Sequence, residues 1–270
     1  MRYFAHIGYN GFNYRGWQRQ ARGIISVQQV LEETISKLLK QKIVCIGCGR
    51  TDAMVHASQY FFHFDFYEEL PKNFLFKFNK SLPDDIAIFD IIPMDGYPHA
   101  QLDAVERTYE YYIHTQKNPF LHSLSALYQE ENLNLEKMKQ AVQLLPNYSD
   151  YSLFCKSPNK NDSNICQVFS TSLFVNPQGD RIRFQISANR FIQGMIRVIA
   201  KRLLDIGIGK LSVEDFEAIL AGKNIPKEIT IAYPQGLYLT KVVYPFLTIS
   251  GSGDTNPLFQ ISTIHSWNKV

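Results

Sequence analysis

The chain has 270 residues, which is enough for one large domain or two of ordinary size. Its hydrophobic fraction of 45% and aromatic fraction of 13% exclude an intrinsically disordered chain and favour a packed core rich in β-structure. The formal net charge of +3 neither requires nor excludes a nucleic-acid partner, because a basic patch can be hidden inside a near-neutral total.

The N-terminal segment, the length of the apolar runs and the number of cysteines indicate the cellular location of the protein. The N-terminus lacks the apolar segment of a signal peptide, and no apolar run approaches the roughly 18 residues that span a bilayer. Four cysteines in a chain of this size do not indicate the disulfide framework of a small secreted domain. We therefore expect a soluble, cytoplasmic protein with no membrane segment.

The first third of the sequence predicts alternating strands and helices. Arg2–Tyr9 is strand-like and ends at a turn-forming Asn-Gly pair. Ser26, with Gln29 three residues later, has the pattern of a helix N-cap. Apolar residues then recur at helical spacing and predict one buried face: Val27, Val30, Leu31, Ile35, Leu38 and Leu39. Residues 43–46 read as a short strand.

Further strands follow. Aromatic residues alternate with other side chains over residues 60–66, a pattern typical of a half-buried strand. Residues 86–92 and 105–114 are also strand-like, and in the second of these the pleat places Arg107, Tyr109 and Tyr111 on one face.

The rest of the chain mixes both element types. We predict a helix over residues 135–145, a hairpin over 168–188 and a helix over 190–206. Ser212 caps a short helix, and residues 237–244 form the last strand. The mixture predicts an α+β fold with an N-terminal half at 1–104, a C-terminal half at 105–247 and a loosely held extension at 248–270.

The segment Gly49-Arg50-Thr51-Asp52-Ala53 connects two of the predicted strands. Loops held by rigid elements are where functional groups concentrate, so Asp52 is a candidate catalytic carboxylate. A solvated surface aspartate is the ordinary alternative, and the spacing alone leaves both open.

Other short segments accompany this loop at characteristic distances along the chain: Gly16-Trp17-Gln18-Arg19-Gln20, Ser26-Val27-Gln28, Val55-His56-Ala57, Asn79 with Leu82-Pro83, Arg107-x-Tyr109-x-Tyr111, Asp150-Tyr151-Ser152-x-Phe154, Met195-x-Arg197 and Gly236-Leu237-Tyr238-Leu239. No single string is decisive. Together their order and spacing resemble the tRNA pseudouridine synthase A family, from near the first residue to about Pro245.

The resemblance implies a fold and an activity. The fold would be the pseudouridine synthase fold, with two similar halves, a mixed and mainly antiparallel sheet, and helices packed on one side. The activity would be the isomerisation of uridine to pseudouridine in the anticodon arm of tRNA, at positions 38 to 40, by a homodimer. This chemistry breaks the N-glycosidic bond, rotates the freed uracil and rejoins it through carbon, and it requires no cofactor and no metal.

The resemblance also implies roles for five residues. Asp52 would be the nucleophile, attacking either C1′ of the sugar or C6 of the ring. Arg197 would keep that carboxylate ionised, and Tyr109 would pack on the target base. Arg50 would hold the flipped-out nucleotide, since extrusion costs a few kcal/mol. Leu237 would line the same pocket.

From the residues alone, plainer interpretations stay open. From spacing alone, Tyr109 is more typical of the core of an aromatic-rich strand than of a binding site. Arg197 shares helical spacing with Arg190, Gln193 and Lys201, a pattern of a solvated polar face. Trp17 and Arg19 could stack on RNA bases, or Trp17 could be a hydrophobic anchor.

Two other patterns are weak evidence for a metal or catalytic site. Cys45-x-x-Cys48 resembles half of a zinc or redox site, but Cys155 and Cys166 lack the matching spacing, so we expect no metal. His56 follows Asp52 by four residues without a suitable nucleophilic Ser or Cys, and we expect a structural role for it.

The sequence departs from the family at three positions. Met54 stands where glycine is usual, and if the turn requires a positive φ, Met would strain it; we expect the loop to relax instead. Gln101 stands where arginine is usual, and Cys166 where many members carry arginine. Two lost cations on a phosphate-binding surface would weaken RNA affinity, and they leave the identity of the modified uridines open.

Two rival functions compete with the synthase. The first is an RNA-binding relative that has lost activity or taken a different RNA target. The second is a hydrolase that pairs Asp52 with Asp84 or Asp85, which would require two carboxyl groups about 5 to 10 Å apart.

Overall fold

The computed structural model describes residues 1–21, 23–130, 132–249 and 267–270. It is an α+β structure in which strands and helices are interspersed along the chain. The strands are β1 (Arg2–Tyr9), β2 (Ile46–Gly47), β3 (His56–Asp65), β4 (Ile86–Met94), β5 (Glu106–His114), β6 (Ala126–Leu127), β7 (Val168–Val175), β8 (Arg181–Ala188), β9 (Leu237–Val243) and β10 (Asn268–Lys269). The helices are α1 (Val27–Leu39), α2 (Phe74–Ser81), α3 (Leu135–Leu144), α4 (Met195–Gly207) and α5 (Val213–Leu220).

The chain divides into two compact units. The first contains Met1–Val105 with residues 238–249, and the second contains Glu106–Leu237 with residues 267–270. Our sequence-based division instead assigned all of 105–247 to one half. The difference arises because β9 returns to the first unit, where Tyr238 and Leu239 pair in parallel with His56 and Ala57 of β3.

The first unit contains a mixed sheet. β3 pairs antiparallel with β1 and β2, β1 pairs antiparallel with β4, and β9 adds a parallel partner to β3. The prediction that residues 60–66 are half-buried is wrong, because both faces of β3 are covered. Phe61 lies edge to face against Tyr244 with ring centroids 5.4 Å apart, and His63 Nδ1 accepts the N–H of Ala100 at 3.0 Å.

Helix α1 begins as predicted, since the Ser26 side chain accepts the N–H of Gln29. Its buried face is partly different, because Gln28 and Glu32 are buried while Val30, Leu38 and Leu39 are only half-buried. Gln28 Nε2 donates to the carbonyl of Cys45 at 2.8 Å, and the Cys45 N–H donates to Glu32 Oε1 at 3.1 Å. These side chains take the hydrogen bonds that a strand neighbour would make, so the predicted strand at 43–46 is reduced to β2.

The second unit is built on an antiparallel sheet of β7, β8 and β5, to which β6 adds a parallel partner on β5. The predicted hairpin is confirmed: β7 and β8 pair from Val168↔Ala188 to Val175↔Ile182. Helix α4 begins at Met195 and not at residue 190, because Gly194 at its N-cap has φ 78°, which ends the irregular segment before the helix. Within the described ranges, none of the helices combines the length and apolarity needed to cross a bilayer.

Residues 250–266 of the expected loosely held extension lie outside the described residues. The last four residues add β10 to the edge of the second unit, with Asn268 opposite Val175 and Lys269 opposite Phe174. Just before it, Trp267 covers the guanidinium of Arg183 at 5.2 Å, and the Phe174 ring lies 4.2 Å from the same guanidinium. Arg183 also pairs with Glu110 at 3.4 Å, so the end of the chain covers a charged pair on the sheet.

Replacing Trp267 with alanine removes one of the two rings on Arg183. We expect the free energy of unfolding to fall by about 1 kcal/mol, the scale of a partly exposed cation–π contact. Urea denaturation measures it, with Trp267→Phe as the matched control because it keeps an aromatic face. Equal stability of Trp267→Ala and the unchanged protein would show that this packing contributes nothing.

Candidate active site

The loop that carries Asp52 lies in the first unit, between β2 and β3. The Tyr60 hydroxyl donates to the Gly49 carbonyl at 2.5 Å, and the hydroxyls of Tyr9 and Thr51 are 2.9 Å apart. Thr51 is buried. Two tyrosines of neighbouring strands therefore hold the loop immediately before Asp52.

The segment from Tyr14 to Trp17 packs directly on this loop. The Trp17 N–H donates to the Thr51 carbonyl at 3.2 Å, and the Met54 N–H donates to the Tyr14 carbonyl at 3.0 Å. Gly16 has φ 90°, and a Cβ on it would lie 2.3 Å from the Thr51 oxygen. Only glycine permits so close an approach of two backbones.

The side chains beside Gly16 have structural roles. Trp17 is 2% exposed and its ring lies 4.2 Å from that of Tyr60, so it is a hydrophobic anchor, and the alternative in which it stacks on RNA is wrong. Arg19 forms ion pairs with Glu32 and Glu33. Both residues therefore help to fasten the segment that supports the Asp52 loop.

Asp52 and Arg50 are both accessible on this fixed backbone. Asp52 is half-buried and Arg50 is exposed. The Val55 N–H donates to the Asp52 carbonyl at 3.2 Å, which closes a four-residue turn over Asp52–Val55. The carboxylate is thus carried by a backbone held from several sides while its side chain remains reachable.

Met54 is the third residue of that turn and has φ 65°. Our expectation that the loop relaxes is wrong. The N–H groups of Met54 and Val55 are bound to Tyr14 and Asp52, so the turn keeps the positive φ that glycine would adopt freely. A side chain in this region costs roughly 1–2 kcal/mol.

His56 completes the support of the loop. It is buried, its Nδ1 accepts the Gly11 N–H at 3.1 Å, and its ring stacks on Tyr238 at 4.4 Å. An Nδ1 that accepts this bond lacks a proton, so the proton of a neutral ring is on Nε2. These contacts agree with the structural role expected for His56.

In the second unit, Arg197 lies in the first turn of α4 and is 7% exposed. The alternative in which it belongs to a solvated polar face is therefore wrong. Its Nε donates to the Ala232 carbonyl at 2.8 Å, and the Ala232 N–H donates back to the Arg197 carbonyl at 3.0 Å. A carbonyl fixes the guanidinium without neutralising it, and burying a cation is costly unless the cation is also paired with an anion.

Tyr109 lies in β5 opposite Ile186 of β8 and is also buried. Its ring meets Phe191 edge to face at 5.2 Å. On the same strand, Arg107 Nη1 donates a hydrogen bond to the Asn189 carbonyl at 3.2 Å. Leu237 is buried at the start of β9, directly after a 3-10 turn over Pro234–Gly236.

A cluster of tyrosines near Arg197 was not anticipated from the sequence. The Tyr111 hydroxyl donates to the Tyr233 carbonyl at 2.8 Å, and the Tyr233 N–H donates to the Tyr128 hydroxyl at 3.0 Å. Burial raises the pKa of Tyr111 well above its ordinary value, while the Arg197 cation acts in the opposite direction. The strand pleat predicted that Tyr111 shares a face with Tyr109. The sequence around Tyr128 and Tyr233 gave no indication that these two residues contact each other or Tyr111.

The other two positions at which the sequence departs from the family, Gln101 and Cys166, differ in burial. Gln101 is exposed on the surface of the first unit. Cys166 is fully buried, and burial raises its pKa to about 11, so this position adds nothing to the outer surface. Across the described residues, no three His, Cys, Asp or Glu side chains are grouped as metal ligands would be.

The five predicted site residues are thus divided between the two units. Arg50 and Asp52 share one loop of the first unit, whereas Tyr109, Arg197 and Leu237 belong to the second. Within the second unit, Tyr109 and Tyr111 project from the same face of β5, and Arg197 is close enough to Tyr111 to influence its ionisation.

Comparisons with known proteins identify the group to which these features belong. A tRNA pseudouridine synthase family model matches residues 141–245. The tRNA pseudouridine synthase A of Azobacteroides pseudotrichonymphae is 41% identical over 245 residues, covering 90% of this chain and 97% of that protein. The chain belongs to the tRNA pseudouridine synthase A family. The enzyme of the same name from Porphyromonas gingivalis is 38% identical and that from Exiguobacterium sibiricum 31% identical, each over 90% of this chain and 97% of its own.

Membership of the tRNA pseudouridine synthase A family places this chain among isomerases. The matches span nearly the whole length of these relatives, so both units of the chain have counterparts in them. The family model ends at residue 245, ahead of β10.

Replacing Met54 with glycine should relieve the strain in the Asp52 turn. We expect the free energy of unfolding to rise by about 1 kcal/mol, since the strain removed exceeds the extra chain entropy of glycine. Lys40→Gly is the matched control, because Lys40 also has a positive φ, 53°, but lies at the exposed end of α1, outside the Asp52 turn. Chemical denaturation of both variants measures the gain, and a loss of stability in Met54→Gly would contradict the strain.

Proposed function

We propose that this protein isomerises uridine to pseudouridine in the anticodon arm of tRNA, at positions 38 to 40. The observation that carries the proposal is the 41% identity to a tRNA pseudouridine synthase A over 97% of that relative's length. In this proposal the two units correspond to two similar halves of the pseudouridine synthase fold, with helices on one side of the sheet.

Asp52 is the proposed nucleophile. Its turn is closed by the Val55 N–H and anchored through Thr51, so its backbone is fixed while its side chain remains half-exposed. A nucleophile needs this combination, because attack on C1′ or C6 requires a defined approach and an accessible carboxylate.

Arg197 is the proposed counterion of Asp52. It is buried and fixed by Ala232, and a buried guanidinium needs an anionic partner. A guanidinium beside the nucleophile would orient the carboxylate through charge-assisted hydrogen bonds.

The other residues are proposed to bind the nucleotide. Tyr109 would pack on the target base, with its ring orientation set by Phe191. Arg50 is exposed and next but one to Asp52, which suits a cation that clasps the flipped-out nucleotide. Leu237 would form the apolar wall of the pocket.

The protein acts as a cytoplasmic homodimer in which one tRNA contacts both subunits. It uses neither a cofactor nor a metal, because a carboxylate nucleophile is sufficient for the glycosidic exchange. Exposed Gln101 in place of an arginine lowers the number of phosphate contacts, so RNA binding should depend less steeply on salt than in relatives that have the cation.

Replacing Asp52 with asparagine should abolish isomerisation, with a fall in rate of at least about a thousandfold, because the amide is not a nucleophile. Binding of tRNA should change little. Pseudouridine formation on an unmodified tRNA transcript, measured beside filter binding, checks both. Asp84→Asn is the matched control, since Asp84 is an exposed carboxylate of the same unit.

Two outcomes would favour other functions. Tight tRNA binding by the unchanged protein without product would favour an RNA-binding relative without activity. Loss of activity in Asp84→Asn to the extent seen in Asp52→Asn would favour a mechanism that pairs two carboxylates, as in the rival hydrolase. Transcripts that have cytidine at positions 38, 39 and 40 should give no product, and product from them would move the target elsewhere in tRNA.

A further inference from the structure

A single side-chain contact joins two distant parts of the first unit beside the proposed nucleophile. The Tyr14 hydroxyl donates to Asp85 Oδ1 at 2.5 Å, across 71 positions of sequence. The Asp85 carbonyl in turn accepts the Asn10 N–H at 2.8 Å, and the Tyr14 N–H donates to the Gly11 carbonyl at 2.9 Å. The segment from Asn10 to Tyr14 is therefore attached at both ends to the turn that precedes β4.

The backbone of Tyr14 reaches the Asp52 turn. Its carbonyl accepts the N–H of Met54, the residue with φ 65°. The phenol is thus bonded to Asp85, and the peptide of the same residue is bonded to the strained position two residues after Asp52. Tyr14 is 5% exposed, so its phenol has little access to water as an alternative partner for its hydroxyl.

We infer that Tyr14, fixed by Asp85, is a positioning residue for Asp52 that holds Met54 in the left-handed conformation. This inference rests on the proposed role of Asp52 as nucleophile. A left-handed Met reverts to a more favourable φ unless its surroundings prevent it, and that rotation would turn the peptide between Ala53 and Met54, inside the four-residue turn that begins at Asp52. The Tyr14–Asp85 bond opposes the rotation, because a hydrogen bond to a carboxylate is stronger than one between neutral groups.

The ionisation of Tyr14 supports the same role. Burial and the bond to Asp85 both raise the pKa of its hydroxyl above the ordinary value. The phenol therefore stays a proton donor throughout the neutral range, and the contact is not lost when the pH rises moderately.

The inference is tested by measuring whether substitutions at Tyr14 and Met54 affect kcat independently or in a coupled way. Tyr14→Phe should lower kcat for pseudouridine formation about tenfold with KM unchanged, since a small misplacement of a reacting group has effects of this order or larger. Tyr14→Phe combined with Met54→Gly should recover activity to within about twofold of Met54→Gly alone, because glycine adopts the turn without restraint. A merely structural hydroxyl would show no such recovery.

Tyr148→Phe is the matched control. Tyr148 also donates to a carboxylate, Glu217 at 3.1 Å, but it is in the second unit and its bond is exposed. It should leave kcat unchanged both in the otherwise unmutated protein and in combination with Met54→Gly. Equal loss of activity in Tyr14→Phe with and without Met54→Gly would overturn the inference.

Amide hydrogen exchange separates this inference from the proposed function. In Tyr14→Phe the Met54 amide should exchange at least about tenfold faster than in the unchanged protein, because the side-chain restraint on its acceptor, the Tyr14 carbonyl, is removed. Unchanged exchange at Met54 would overturn the positioning role whatever the activity. Faster exchange in a protein whose unmutated form makes no pseudouridine would instead refute the proposed function.

Discussion

The first unit depends on one close contact between two backbones, that of Gly16 on Thr51. There is no room for a side chain at this point, and the hydrogen bonds on either side, from Trp17 to Thr51 and from Met54 to Tyr14, set the path of the chain through Asp52. Trp17, Tyr60 and Tyr9 then fill the space behind it. The backbone of the loop is consequently held in place although it has no regular structure, which suits the nucleophile proposed at Asp52.

The second unit meets a different demand, which is to bury a cation. Arg197 lies at the start of α4, where most side chains are packed in the core, and its position is set by a reciprocal pair of hydrogen bonds with Ala232. The nearby Tyr111, Tyr128 and Tyr233 supply hydroxyl and peptide groups that bind one another. A charged group in such surroundings is costly in a structural role alone, which is why its burial supports the proposed pairing with a carboxylate.

Much of this organisation was predictable from local patterns. Ser26 and Ser212 mark helix starts, and the 168–188 hairpin follows from its turn residues. Helix α2 was missed, because its cap Asn73 is left-handed and makes no side-chain hydrogen bond. The burial of Gln28 and Glu32, the two-sided burial of β3 and the Tyr14–Asp85 contact were not predictable, since each depends on partners distant in sequence. The candidate site itself came from the family resemblance, and local spacing would have placed Arg197 in solvent.

The return of β9 to the first unit has a consequence for how the protein can be made. His56 and Ala57 receive their parallel strand partners only when Tyr238 and Leu239 have been synthesised. Until then a nascent chain, or a recombinant fragment that ends near residue 105, exposes that end of β3 and the ring of His56 without its stacking partner Tyr238. Uncovered strand edges recruit other chains. Such a fragment should therefore depend on chaperones, and the two units are unsuited to separate expression.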